Sequence, residues 1–277
     1  MKSFPFFKMS PCGNTTVLIP EHAVQEKNKQ NIAKTILLPG HVQAEQVGFI
    51  DIEKSCLCMA GGEFCVNATR AFGALLAEAH SQGAIAASQP FSALVTVSGM
   101  AQPVHVTVSG CRPVWHVSAQ LEFATLPPSL PLEEGIALVR LPGIDHLLID
   151  ERLHPMPHNW REAAAALRHT YHLENSEAVG CIWWQQTAQG ASMNPVVWVR
   201  ECDSTFWESA CGSGALACTV GLPFLREAAL EKDCMLRQPS QDILILRLRK
   251  NAHSWQVGIG GSVTLIAQGH CYMPPEN

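Results

Sequence analysis

The chain carries little charge. Only 16% of its 277 residues are Asp, Glu, Lys or Arg, the formal net charge is -5, and no basic run occurs. Nucleic acid is therefore an unsuitable main partner, because phosphate binding needs clustered cations. Nowhere do about eighteen apolar residues follow one another, so no transmembrane helix and no membrane partner are expected. The opening stretch MKSFPFFKMSPCG lacks a signal-peptide core, since Pro5 and Lys8 interrupt it, and a cytoplasmic location is the expectation. Neither a Walker A sequence nor a dinucleotide fingerprint is present. Motif alone leaves a pyridoxal-phosphate lysine open, but lysine is scarce and none sits in a Gly/Ser-rich phosphate loop.

Apolar residues and cysteine are plentiful. Hydrophobic residues make up 47% of the chain, enough for a large core and, at this length, for two modest domains. Eleven cysteines are present, an odd number. A secreted disulfide framework favours an even number in a much shorter chain, so these read as reduced thiols, most of them small buried hydrophobes. Cys56 and Cys58 alternate along a strand and read as packing, with no second ligand pair at zinc-site spacing. Cys218 reads as core. The twelve histidines are scattered without a helical H-x-x-x-H pair, so no metal site is expected. Trp183, Trp184 and Trp207 read as core or cleft wall, and Glu63 as a helix-start charge.

Strands are expected at 4–9 and 15–19, joined by a turn over 11–14, and in two segments over 45–59 broken at Lys54-Ser55. A long helix follows over about 65–80, then strands at 92–98, 102–109 and 113–118. The proline-rich stretch 126–131 reads as a crossover. The plan then repeats: strands at 136–141 and 146–150, a helix at 159–170, strands at 179–185 and 195–200, and a second apolar helix starting near 211. The segment 233–273 is strand-rich, with Gly258, Gly260 and Gly261 read as a turn. The class is α+β, with two similar halves.

Each half contains one helix apolar around most of its circumference, which belongs inside a curved sheet. Each of these helices opens on a cysteine, Cys65 and Cys211, about half the chain apart. A cysteine opening an apolar helix is by itself more often just buried; two in matching contexts suggest a pseudo-symmetric pair. Inverting a carbon centre needs a base on one face and an acid on the other, and a thiolate and a thiol supply both without a cofactor. Unpaired N–H groups at a helix start favour a thiolate and also bind a carboxylate. Small residues after each cysteine let backbone approach a ligand closely.

Four blocks carry a resemblance: Cys12-Gly13-Asn14-Thr15-Thr16, Glu45-Gln46-Val47-Gly48-Phe49, Gly62-Glu63-Phe64-Cys65-Val66-Asn67-Ala68 and Cys211-Gly212-Ser213-Gly214. Together they resemble the diaminopimelate epimerase superfamily, and within it the histidine racemases that supply D-histidine to staphylopine-type metallophores. The resemblance implies two domains, each a mostly antiparallel sheet wrapped round a central helix, with the site in the cleft between them. The expected division is 1–125, completed by a last strand at about 263–277, and 126–262. The likeness further implies that Cys65 and Cys211 are the acid/base pair of an amino-acid racemase without cofactor or metal. It places Asn14, Gln46, Asn67 and His146 beside the substrate, Gly212 and Ser213 at its carboxylate, and Glu45 and Glu208 near the thiols. A monomer or symmetric dimer is the usual assembly. Where diaminopimelate epimerases carry a Glu-Arg pair this chain has Cys202-Asp203, which favours a side chain without a distal carboxylate, such as imidazole. Val66 stands where the family usually has Gly. The competing readings are an epimerase of another amino acid, diaminopimelate or a hydroxyproline-like substrate, an isomerase of this fold without the cysteine pair, and a non-catalytic thiol protein binding metal or acting in redox.

Overall fold

The computed structural model describes residues 3–81, 83–201 and 203–273. The chain divides into two compact units, Met1–Gln120 with Gly260–Asn277, and Leu121–Ile259.

In the first unit, β1 (Ser3–Pro11) and β2 (Thr16–Pro20) form a hairpin whose turn holds Cys12 and Gly13 at φ 54° and 94°. Helix α1 (Lys29–Leu37) returns the chain so that β3 (Gln46–Asp51) runs parallel to β2. β4 (Cys56–Met59) then turns back against β3. Helix α2 (Val66–His80) crosses to β5 (Phe91–Val97), parallel to β4, and β6 (Val104–Cys111) and β7 (Val114–Phe123) complete an antiparallel meander. The last strand, β16 (Trp255–Tyr272), pairs with both β7 and β1, so this sheet closes on itself. Helix α2 lies inside it and touches β1 to β6. Its residues Val66 to Ala77 are buried all round, which is why it has no polar face. Helix α1 is amphipathic instead. Ile32, Ala33 and Ile36 pack on Val47 and Phe49 from the other side of the sheet. Alternating strand residues therefore serve two helices on two faces.

The second unit repeats this succession. β8 (Ser129–Glu133), β9 (Ile136–Leu141) and β10 (Ile144–Asp150) are antiparallel, and α3 (Trp160–Thr170) brings β11 (Ala178–Thr187) parallel to β10. β12 (Gly190–Val199) returns beside β11, and the short β13 (Ser204–Trp207) pairs with it. Helices α4 (Gly212–Gly221) and α5 (Pro223–Glu231) lead to β14 (Cys234–Arg237), parallel to β12, and β15 (Ile243–Lys250) closes a hairpin. Helix α3 lies on one face through Ala164 and Leu167, against Leu147, Ile149 and Cys181. Helix α4 takes the other and touches β9, β10 and β15. Leu148 Cδ1 lies within 2.5 Å of where a Cβ on Gly221 would stand, so only glycine lets the end of α4 come this close to β10.

The α+β class and the wrapped sheets match the sequence expectation, but three local readings need correction. The segment 126–131 is no mere crossover, because Ser129 begins β8 and pairs with Val139. Gly258, Gly260 and Gly261 form no turn. They lie inside β16, where burial of Val257, Ile259, Gly261 and Val263 continues the two-residue strand period. Helices α1 and α5 and strand β13 gave too short a periodic signal to be anticipated. No helix among the described residues is long and apolar enough to cross a membrane.

Candidate active site

Cys65 is the N-cap of α2. Its sulfur accepts a hydrogen bond from the Ala68 N–H at 3.3 Å, so the thiol sits at the positive end of the helix. Its own proton is directed at Gln46 Oε1, 2.8 Å away at the start of β3. The neighbouring Glu45 is fixed from the β1–β2 turn. Asn14 Nδ2 donates to Glu45 Oε2 and the Thr15 N–H to Oε1, both at 3.2 Å. Thr16 Oγ1 lies 3.5 Å from Asn14 Oδ1. Asn67 is buried in the first turn of α2. The first unit thus gathers Asn14, Glu45, Gln46, Cys65 and Asn67 round one helix start.

Arg70, one turn further along α2, supports this group and was not anticipated. It is fully buried. Its Nε donates to Val117 O at 3.1 Å, and one terminal nitrogen reaches Ser262 O at 3.1 Å and Cys12 Sγ at 3.5 Å. It thereby ties the turn that carries Asn14 to the helix that carries Cys65.

Cys211 stands in the same relation to α4. Its sulfur accepts from the Gly214 N–H at 3.3 Å and lies 3.4 Å from Ser213 Oγ. Gly212 and Ser213 form the first turn of the helix. The Glu208 carboxylate acts on the Cys211 thiol electrostatically. The expectation that a helix start lowers a cysteine pKa is reversed here. Burial and the Glu208 charge push the Cys211 thiol well above its ordinary range, and the Ser213 and Gly214 hydrogen bonds oppose them without winning. Cys211 therefore rests as a thiol under the influence of a carboxylate.

His146 is not grouped with these residues by any hydrogen bond. It lies on β10, is fully buried, and its ring occupies the space that a side chain on Gly180 would fill. Neither ring nitrogen has a partner among the described residues, and burial pushes its pKa down to about 3. Of the Cys202-Asp203 pair, Cys202 lies outside the described residues. Asp203 Oδ1 accepts from Trp198 Nε1 at 2.9 Å, so its carboxylate is engaged within its own loop. Trp183 is core, as expected, whereas Trp207 is 47% exposed and packs beside Trp160. None of the ten described cysteines is in a disulfide. Among the described residues no group of three or more His, Cys, Asp or Glu side chains is arranged to hold a metal.

Solved structures share this fold. The hydroxyproline epimerase of Agrobacterium vitis, solved with trans-4-hydroxy-L-proline, is 11% identical, with a TM-score of 0.63 over 98% of this chain and 92% of that one. A phenazine biosynthesis protein of the PhzF family from Enterococcus faecalis is 17% identical, with a TM-score of 0.60 over 98% and 100%. At these identities the likeness establishes the fold alone. Residues 3–272 match the family described as the histidine racemase CntK N-terminal domain, and the chain belongs to that family. Curated histidine racemases from Fusobacterium nucleatum and Staphylococcus aureus are 30% and 26% identical, each alignment covering 97% of both chains. The protein is an isomerase, an amino-acid racemase.

Proposed function

We propose that the protein interconverts L- and D-histidine without a cofactor, with Cys65 and Cys211 as the two acid/base groups. The observation that carries this reading is the matched pair of helix-start thiols, each with its own polar partner. Histidine as the substrate is supported by the names of the relatives and by the absence of an arginine from the Cys202-Asp203 pair.

In one direction the thiolate of one cysteine takes the α-proton, and the thiol of the other returns a proton to the opposite face of the same carbon. The roles swap for the reverse reaction. Cys211, held as a thiol, is poised as the donor and becomes the base by passing its proton to Glu208. Gln46 aims the Cys65 thiol, and Glu45, fixed by Asn14 and Thr15, supplies the acidic group on that side. The α-carboxylate is assigned to the N–H groups of Gly212 and Ser213, where a helix start stabilises the charge that grows as the carbanion takes on enolate character. Both proton transfers are made by protein groups, so no electron-sink cofactor enters the scheme. The D-histidine formed feeds metallophore assembly on this reading.

The test is incubation of the purified, reduced protein with L-histidine in D2O. Loss of the α-hydrogen by NMR, together with D-histidine by chiral chromatography, is the expected result. Exchange with another amino acid but not with histidine discards the substrate and keeps the mechanism. No exchange with any amino acid, both thiols being reduced, overturns the reading.

A further inference from the structure

The start of α4 is half of a capping box. In the complete motif the N-cap side chain accepts from the N–H three residues on, and the side chain at that third position reaches back to accept the N-cap N–H. Cys211 makes the first bond, to Gly214. Gly214 has no side chain with which to make the second. A longer side chain there would be crowded, because even its Cβ would stand 2.8 Å from Ile182 Cδ1 and 2.9 Å from Met193 Cε.

The missing acceptor comes from elsewhere in the chain. Gln238, just after β14, is 1% exposed, and its Oε1 takes the Cys211 N–H at 3.0 Å. Its amide nitrogen is anchored on Leu236 O at 3.2 Å, so the side chain has one orientation that satisfies both ends. The turn that presents it is closed by Gln238 N–H to Asp242 O and Gln241 N–H to Gln238 O, at 2.9 Å each, with Gln241 at φ 72°. The same turn takes hold of the lead into the helix, Ser240 N–H donating to Ser209 O at 3.0 Å. On its other side that lead is pinned by Glu208 N–H to Pro195 O at 2.9 Å.

We infer that Gln238 is a positioning residue for the racemase reaction: it completes the cap of α4 from outside the helix and so fixes the direction of the Cys211 thiol. The inference rests on the two-thiol reading given above. Without Gln238 a buried N–H loses its acceptor, which the backbone relieves by rotating at Cys211, and the sulfur moves with it.

The test is Gln238→Met in the full chain, assayed with L- and D-histidine carrying deuterium at the α-carbon. A racemase has the same kcat/KM in both directions at equilibrium constant one, so the rate alone does not locate the damage. The isotope effects do. If proton transfer at Cys211 is slowed, the effect rises for the enantiomer that Cys211 deprotonates and falls for the other, and kcat/KM drops about tenfold, which corresponds to about 1.4 kcal/mol of lost transition-state stabilisation. A drop with both isotope effects unchanged means only fewer active molecules and overturns the inference, as does an unchanged rate. Should the methionine variant not fold, Gln238→Asn withdraws the acceptor by one methylene and is held to the same outcomes. If the native protein itself fails to exchange the α-hydrogen, the functional reading falls and this one is judged on the thiols alone. Iodoacetamide labelling read by peptide mass spectrometry must then change for Cys211 and not for Cys65 in the variant, and equal labelling in both proteins overturns it.

Discussion

Cys65 and Cys211 have the same backbone conformation. Their φ/ψ values are −128°/111° and −129°/107°, and each sulfur accepts the N–H of the third residue after it at 3.3 Å. What differs is the group that acts on each thiol: the Gln46 amide oxygen accepts from Cys65, whereas the Glu208 charge raises the pKa of Cys211. Two equivalent thiols are thus given unequal surroundings, and several consequences are measurable.

Replacing either cysteine by serine keeps a capping oxygen and removes the acid/base group. Cys65→Ser and Cys211→Ser should each retain the native melting temperature within a few degrees and lose racemisation by about a thousandfold, within the range of general acid–base contributions. Appreciable D-histidine formed by either variant would falsify the two-thiol mechanism.

Glu208→Gln removes the charge that helps hold the Cys211 proton. The thiol then ionises at lower pH, and the pH profile of its iodoacetamide labelling should move toward acid. Racemisation should still fall, by about ten- to a hundredfold, because the carboxylate proposed to take the Cys211 proton is gone. A labelling profile that stays where it was shows that Glu208 does not control this thiol.

His146 links the core to acid stability. In an unfolded chain a histidine takes up a proton near pH 6.5. The folded protein refuses it until about pH 3. Between those values the unfolded state binds more protons, so stability present at neutral pH is lost as pH falls through that window. His146→Leu removes the difference. Relative to the native protein, the variant should gain roughly 3 kcal/mol in urea denaturation as pH drops from about 7 to about 4. Two denaturation midpoints that keep a constant separation across that range contradict this account.

Gly214→Ala tests how tightly α4 is seated. The added methyl meets the flexible ends of Ile182 and Met193, which give way, and also Cys211 Sγ at 3.3 Å, which does so only by moving. The expected cost in stability is at the low end for overpacking, about 1 kcal/mol, and the loss of rate is proportionally larger. A variant that melts early but turns over at the native rate places the crowding away from the thiol.

Much of this was legible from sequence because it depends on near neighbours. Apolar residues all round a helix mean an interior helix, so the sequence alone places α2 and α4 inside their sheets. A cysteine preceding Val66-Asn67-Ala68 or Gly212-Ser213-Gly214 is an N-cap for reasons confined to four residues. The two-residue strand period is equally local, and in β16 glycines mask it, so that a strand looks like a turn.

The remainder depends on residues brought together from distant parts of the chain. Gln46 meets Cys65 only because β3 pairs with β2 and α2 starts above it. Gln238 meets Cys211 across 27 residues, through a turn with no motif of its own. Arg70 is spaced along α2 like any surface arginine and is nonetheless fully buried. His146 alternates along β10 like any strand residue, and its isolation comes from what surrounds it. The direction of the Cys211 shift shows the division most clearly. The sequence determined that a thiol would sit at a helix start, which by itself favours the thiolate. Only the tertiary structure decided how much water that thiol would lose and which carboxylate would face it, and desolvation with a like charge outweighs two hydrogen bonds from a helix end.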